Sequence, residues 1–325
     1  MSYRVAVVGG GGIAARHLEA MAGMKDELQP VAVAELRQNR AEELASLHGI
    51  RAYTDYREMI VREKPDIAIV TLPHWLHREA AVFAAEHGCH VLLEKPMALN
   101  GEECDEIAVA VRRNRVVLMV GHTQHYMATN LKAQAIVESG LLGELVMISD
   151  TRHVNYNQPE RPDWFFEKAK AGGGILTNLG SHTIDKIQWL SGSPITRVKA
   201  SVSRRMNRGD VEGAGMAYFE TASGVPATLM QSGYTGAPRN ETELVFTNGM
   251  LKLLTGDSLW ISQGGPYTQV EVEPGEPPFV LQFRELLDCI RSGREPECSM
   301  AYSRSIVAVV EAMYASDRSG ETVRI

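Results

Sequence analysis

The chain has 325 residues, enough for two domains at roughly 150 residues each and for a sizeable buried core. Lys plus Arg number 33 and Asp plus Glu 40, a formal net charge of −7; neutralising phosphates needs a basic surface, so nucleic-acid and anionic-membrane binding are excluded. A 44% hydrophobic share, a 22% charged share, 29 Gly and 14 Pro are ordinary globular usage and exclude disorder, collagen and coiled coil.

In the first 120 residues short β-branched runs alternate with amphipathic segments, the pattern of strand–helix units in a parallel sheet. The expected strands are Arg4–Val8, Pro30–Ala34, Ile67–Thr71, His90–Leu93 and Val116–Val120. Between them lie expected helices Ile13–Met24, Asn39–His48, Tyr56–Glu63, His77–His87 and Gly101–Asn114. Runs such as Ile67-Ala-Ile-Val are apolar on both faces, as strands covered by helices on each side must be. After Gly121 the texture changes: a helix over Met127–Ser139, a strand over Leu145–Asp150, an aromatic segment Arg152–Trp164 and a helix over Ser181–Leu190. Thr196–Val272 then reads as a mostly antiparallel meander, with turns at Thr221-Ala-Ser-Gly, Thr247-Asn-Gly and Thr255-Gly-Asp. Helices over Val280–Arg291 and Ala301–Ser316 close the chain. The expected domains are 1–121, a doubly wound Rossmann sheet, and 122–325, an open, mainly antiparallel sheet with helices, the final helices being free to pack back on the first domain.

Cys89, Cys104, Cys289 and Cys298 show no C-x-x-C spacing and are too sparse to staple the chain, so they read as free thiols. The apolar run after Met1 reaches the glycines within a few residues, too short for a signal segment or a membrane span. The expectation is a cytoplasmic protein with no membrane partner.

Val5-Ala-Val-Val-Gly-Gly-Gly-Gly-Ile-Ala-Ala is a strand that turns into a helix. Read as G-x-G-x-x-A, Gly9 makes the tight turn, Gly11 lets the backbone approach a pyrophosphate, and Ala14 lets the helix pack closely on the strand. The free amides near Gly12 and Ile13 then face the phosphates. The second strand ends at Glu35, where this fold places an acid on the ribose hydroxyls and repels a 2′-phosphate, so NAD is expected over NADP. Arg37 is the contrary sign, because arginine welcomes that phosphate.

Two further segments point to chemistry. Thr71-Leu-Pro-His-Trp-Leu-His and Leu93-Glu-Lys-Pro follow successive strands, at carboxyl ends where such sheets bind ligands. Gly172-Gly-Gly-Ile-Leu-Thr-Asn-Leu-Gly-Ser-His-Thr-Ile-Asp lies in the second half. With the glycine turn, these motifs resemble, in order and over essentially the whole chain, the glucose–fructose oxidoreductase, inositol dehydrogenase and rhizopine-catabolism (Gfo/Idh/MocA) family of NAD(P)-dependent oxidoreductases.

The resemblance implies that Lys95 is the active-site lysine and that His182 takes the proton in alcohol oxidation, with Asn178 beside them; it also implies a frequently cis Lys95–Pro96 bond. Thr71, Leu72, Pro73, His74, His77 and Glu94 join the cofactor-side residues. Physical chemistry agrees: hydride leaves only as the hydroxyl loses its proton, so a base of histidine-like pKa is needed, and an ammonium stabilises the developing alkoxide. Two departures stand out. Many relatives have Asp where this chain has Asn178, which gives the histidine no countercharge, and commonly Asn where it has His74. Asp185, three residues past His182, can reach it on a helix or bond a local backbone group. Trp75 either stacks near the nicotinamide or caps the next helix.

His122, Gln124, His125, Tyr126, Arg152, His153, Asn155, Tyr156 and Trp164 are the expected cleft residues, of which His122, Gln124, Tyr126, His153, Tyr156 and Trp164 join Lys95, Asn178 and His182 as substrate contacts. Polar and aromatic groups suit an uncharged sugar or cyclic polyol; the alternative is a surface loop packed by its own aromatics. His74 with His77, and His122 with His125, have H-x-x-H spacing but no matching acid or cysteine, so no metal is expected. The leading reading is a dehydrogenase acting on CH–OH groups. The alternatives are an NAD-dependent glycosidase or lyase with transient redox, and a noncatalytic NAD-binding regulator. A homodimer or homotetramer through the carboxy-terminal sheet is expected; the apolar alternation in Gly213–Tyr218 and Ala227–Gln231 serves either an inner face or a subunit contact.

Overall fold

The computed structural model describes residues 2–206 and 208–325, so the reading at Met1 lies outside them. The chain divides into two compact units, one running to Thr123 with Glu276–Arg304 and the other Gln124–Gly275 with Ser305–Ile325. In the first, β1 (Tyr3–Val8), α1 (Gly12–Ala22), β2 (Leu28–Ala34), α2 (Gln38–His48), β3 (Arg51–Tyr53), α3 (Tyr56–Glu63) and β4 (Ile67–Val70) follow one another. Then come α4 (His77–Glu86), β5 (His90–Leu93), α5 (Gly101–Asn114) and β6 (Leu118–Val120). The strands form a six-stranded parallel sheet ordered β3-β2-β1-β4-β5-β6. The order reverses between β1 and β4, which opens a crevice at their carboxyl ends. Val5–Val8 and Ile67–Val70 are fully buried, as sheet strands covered on both faces require.

The second unit continues with α6 (Ala128–Glu138), β7 (Leu145–His153), α7 (Lys168–Ala171) and α8 (Ser181–Ser191), the last entered through a wide π-helical turn, Leu176–Gly180. Strands β8 (Ile195–Ser203), β9 (Ala214–Thr221), β10 (Pro226–Ser232), β11 (Arg239–Phe246), β12 (Gly249–Leu254), β13 (Ser258–Ser262) and β14 (Thr268–Val270) follow. α9 (Pro278–Ser292) groups with the first unit; α10 (Met300–Ser319), mostly in the second, leads to β15 (Val323–Arg324). The sheet runs β14-β13-β12-β11-β7-β10-β9-β8-β15 and is antiparallel except for β7 with β10. Strand β3 has three residues and β15 two, too few for a period-2 pattern, and the sequence reading placed neither.

Alternation resolves the two readings of this sheet. Ala217 and Phe219 of β9 and Ala227, Leu229 and Gln231 of β10 are buried, whereas Met216 and Tyr218 are 61% and 44% exposed. Met147, on the same open face of β7, is 47% exposed. One face therefore holds the core and the other presents large apolar side chains to solvent.

Helix α8 covers the inner face and is polar as well as buried. Lys186 Nζ lies 2.9 Å from Asp150 Oδ2, with both side chains almost completely buried. The Thr183 hydroxyl donates to Asp150 Oδ1 at 2.6 Å and that of Thr242 to Oδ2 at 2.6 Å. Lys186 also donates to Thr255 Oγ1, and the Gln231 amide donates to Thr183 Oγ1, each at 2.9 Å. Both charges of the pair are met, the condition for a buried ion pair to be tolerated. Among the described residues no helix is long and apolar enough to cross a membrane, and all four cysteines are buried thiols outside any disulfide.

Candidate active site

The glycine turn after β1 sits at the crevice of the first sheet. Gly9 has φ +105°, and a Cβ there would lie 2.9 Å from the Thr71 carbonyl oxygen, so the turn requires glycine. Thr71 fixes it from β4, its hydroxyl donating to the Val8 and Gly9 carbonyls at 3.1 Å. At Gly11 and Gly12 an added Cβ would meet nothing within 4 Å, so this backbone borders open space. Gly11 caps α1 without a side-chain bond, and the first turn, from Gly12 and Ile13, holds no acid. Ala14 is fully buried against the sheet.

Gly10, which the motif left as a free position, is the residue that holds the acid. Its amide donates to Glu35 Oε2 at 3.1 Å, and a Cβ on it would lie 2.8 Å from the Glu35 Cβ. Arg37 donates through Nε to Glu35 Oε1 at 2.9 Å. Burial alone would raise the Glu35 carboxyl, but the bonds from Arg37 and Gly10 outweigh it and hold it below its ordinary value. Arg37 is therefore tied up by Glu35. An uncluttered turn over free helix amides, with a fixed carboxylate at the end of β2, fits a dinucleotide: the turn for the diphosphate, Glu35 for the ribose.

Beyond β4 and β5 two loops meet through His77. Its Nδ1 lies 2.8 Å from the Pro96 carbonyl oxygen and its Nε2 2.8 Å from that of Leu72. Pro73 and the His74–Leu76 turn lie between, with His74 buried and Trp75 partly exposed. Lys95 is half-buried and its bond to Pro96 is cis. Its neighbour Glu94 is held by His17, whose Nε2 lies 2.9 Å from Glu94 Oε1, with the His17 ring edge-on to Phe279 and Phe283. Burial raises the Glu94 carboxyl, but the His17 bond and the Lys95 charge overcome this and hold it below the ordinary value. His122, also in this unit, is buried edge-on to Tyr302 at 5.9 Å.

In the second unit Asn178 donates through Nδ2 to the Tyr156 hydroxyl at 3.1 Å. Burial pushes the Tyr156 phenol up to about 12, so it stays protonated at neutral pH. His182, partly exposed, is the second residue of α8. The turn that carries both is fastened by Glu212, which the sequence reading missed. Its carboxylate accepts the Gly174 amide at 2.9 Å, the Leu176 amide at 2.8 Å and the Tyr314 hydroxyl at 2.8 Å. Burial raises the Glu212 carboxyl above its usual value against those donors. The glycines make the approach possible: a Cβ on Gly174 would lie 2.1 Å from the Glu212 carbonyl oxygen. No local sequence signal joins residues 36 or more positions apart.

Several expectations change. Asp185 has a partner on another element that its spacing did not suggest: its Oδ1 lies 2.7 Å from His125 Nε2, and His125 stacks on Trp189 at 4.3 Å. Strand alternation puts His153 on the open face with Met147, and Arg152 instead takes the inner face beside Asp150. The Arg152–Trp164 segment packs partly on itself, Arg161 lying 4.0 Å over the Tyr156 ring, and is also tied from outside by Arg208, which donates to the Gln158 and Arg161 carbonyls at 2.9 and 2.8 Å. Trp164 stacks on Phe165 at 3.7 Å. Gln124 and Tyr126 are buried in the turn before α6, the Gln124 carbonyl accepting from Asn130 Nδ2 at 2.9 Å. Asn155 is exposed.

His77 yields a pH prediction. Burial holds its imidazole below the ordinary 6.5, against the two carbonyl acceptors. With the folded pKa below the unfolded one, the unfolded chain takes the proton first. The stability His77 contributes is then complete above pH about 6.5 and declines as pH falls through that value. Urea midpoints from pH 7.5 down to 5.5 should fall more steeply for the wild type than for His77→Gln. A wild-type midpoint that rises on acidification would mean the carbonyls prevail over burial.

Residues 3–122 match the family model described as "Oxidoreductase family, NAD-binding Rossmann fold", and residues 130–252 that described as "GFO/IDH/MocA C-terminal domain". The chain is similar to the D-glucoside 3-dehydrogenase of Escherichia coli (strain K12), 29% identical over 197 residues, which are 60% of this chain and 55% of that protein. It is 24% identical over 336 residues to the inositol 2-dehydrogenase of Salmonella typhimurium (strain LT2), covering 99% of this chain and 96% of that one. The solved structure of a levoglucosan dehydrogenase in complex with NADH has a TM-score of 0.93 at 22% identity, covering 100% of this chain and 99% of that one. For several of the curated relatives, the first among them, the match spans only about half their length. With the amino- and carboxy-terminal models of one family matched in order across more than half of its length, the chain belongs to the Gfo/Idh/MocA oxidoreductase family.

Proposed function

We propose that the protein is an NAD-dependent dehydrogenase that oxidises a secondary alcohol of a sugar, cyclitol or related polyol. The observation that carries this reading is that Lys95 and His182 both stand in their family motifs in a chain whose glycine turn and Glu35 suit a dinucleotide. The dehydrogenase names of its relatives support the same substrate class. Bound NAD supplies the hydride acceptor. Gly9–Ala14 hold the diphosphate and Glu35 the ribose. The Lys95 ammonium steadies the developing alkoxide, and His182 takes the hydroxyl proton. Asn178, fixed by the Tyr156 hydroxyl, is a neutral orienting group rather than a countercharge.

The test is a panel of sugars, cyclitols and their acids with NAD and NADP, read by NADH or NADPH absorbance. NADH formation with at least one neutral or acidic polyol is expected. Product without net NADH selects the transient-redox alternative, and failure to bind NAD or NADH contradicts the reading outright. Glu35→Ala removes the repulsion of a 2′-phosphate and releases Arg37, so the NADP-to-NAD ratio of kcat/KM should rise by about tenfold or more, the scale of one charged contact. An unchanged ratio contradicts the role given to Glu35.

We also propose that the open face of the large sheet joins copies of the chain, supported by the exposed Met147, Met216 and Tyr218. Sedimentation should give a mass of two or four chains that falls on Tyr218→Glu. A single-chain mass for the wild type contradicts it.

A further inference from the structure

Arg152 is the one charged residue that the inner face of β7 leaves without a counter-ion. It lies two residues beyond Asp150, opposite Gln231 of β10 and Asn240 of β11, neither of which carries a charge. Asp150 is already committed, its oxygens accepting from Thr183, Thr242 and Lys186. Its charge is balanced by Lys186, so the inner face carries one positive charge more than it carries negative. The acids of β11, Glu241 and Glu243, alternate onto the open face, where they bond Arg239 and Tyr267. Among the described residues the Arg152 guanidinium makes no hydrogen bond or ion pair. Burial depresses its pKa and the Asp150 charge offsets only part of that. Its nitrogens are not among the sealed, unbonded polar atoms, so the five donors of this partly buried guanidinium stand open to the oxygens of a ligand.

A second arginine extends this positive region. Four residues beyond Arg152, Tyr156 bonds Asn178, and the Arg161 guanidinium lies 4.0 Å from the centre of the Tyr156 ring. Arg161 uses only Nε, donating to the Tyr156 carbonyl at 2.8 Å, and no acid pairs with it. In a chain of net charge −7, two arginines without counter-ions therefore flank the segment that orients Asn178.

We infer that the substrate is a sugar or polyol carrying a carboxylate, and that Arg152 is the specificity residue that pairs with it. This rests on the dehydrogenase reading above and narrows its substrate class. A carboxylate matches the guanidinium fork with two coplanar oxygens and one charge. A phosphate dianion needs a denser set of cations than one inner-face arginine supplies. Arg161 adds long-range attraction for the same anion.

The experiment uses the full-length protein and matched pairs, an alditol with its aldonate and an aldose with its uronate, together with the sugar 6-phosphate. For the wild type, kcat/KM with NAD should favour the acid of a pair. Arg152→Gln should cut kcat/KM for the acid by about 30-fold or more, the scale of losing one charged pair, while the neutral member changes less than about threefold. Arg152→Lys, which keeps the charge and loses the fork, should fall between, and it serves if Arg152→Gln fails to fold by circular dichroism. Equal use of the neutral members, preference for the phosphate, or equal loss on both members in the variant overturns the assignment. If no compound yields NADH, the dehydrogenase reading fails separately, and calorimetry without turnover decides this one. Carboxylates bound by the wild type and weakened in Arg152→Gln uphold it, and binding that is absent or indifferent to the substitution overturns it.

Discussion

Asp150 and Lys186 bury an ion pair beneath α8, and the placement of that helix and of the turn leading into it follows from the pair. Water is excluded from both groups, so neither can be left without the other; removing one partner of such a pair costs about 3–5 kcal/mol. Only one rotation and one height of the helix over the sheet bring Lys186 and Thr183 onto the same carboxylate. Asp185, on the same helix, has its own buried partner in His125. With α8 specified this way, its first turn and therefore His182 have no freedom to slide. Glu212 then fastens the turn that enters the helix, so Asn178 and His182 are held from both sides.

The first unit solves the same problem with backbone instead of a buried salt bridge. The loops at the carboxyl ends of β1, β2, β4 and β5 are each tied to another. Gly10 binds Glu35, Thr71 binds the glycine turn, and His77 spans the carbonyls of Leu72 and Pro96. His17 secures Glu94 next to Lys95. These loops are thus fixed by polar groups that would be costly to leave unpaired.

What was legible in the sequence was local. Gly9 and Ala14 follow from the geometry of a strand turning into a helix, and Glu35 from a strand's length. The doubly wound sheet followed from strands apolar on both faces. Gly10 was illegible because a motif records spacing and not the side chain arriving from 25 residues away. Glu212, Tyr314 and the Asp150–Lys186 pair were illegible for the same reason, since their partners are brought together only by the sheet. Asp185 shows the same limit: a helix spacing of three pointed to His182, and nothing local pointed to its tertiary partner, His125. His153 and Arg152 differ by one residue, and only the register with β10 decided which faces α8.

The central claim is that this framework holds His182 as the proton acceptor for alcohol oxidation. It is tested most directly by kcat/KM against pH for the wild type and His182→Gln. The account predicts that the wild type loses activity as pH falls through about 6–7, the histidine range. It predicts that His182→Gln is slower by about 10²–10⁴-fold, the usual worth of a general base, and no longer shows that decline. A variant that keeps both the rate and the decline would contradict it.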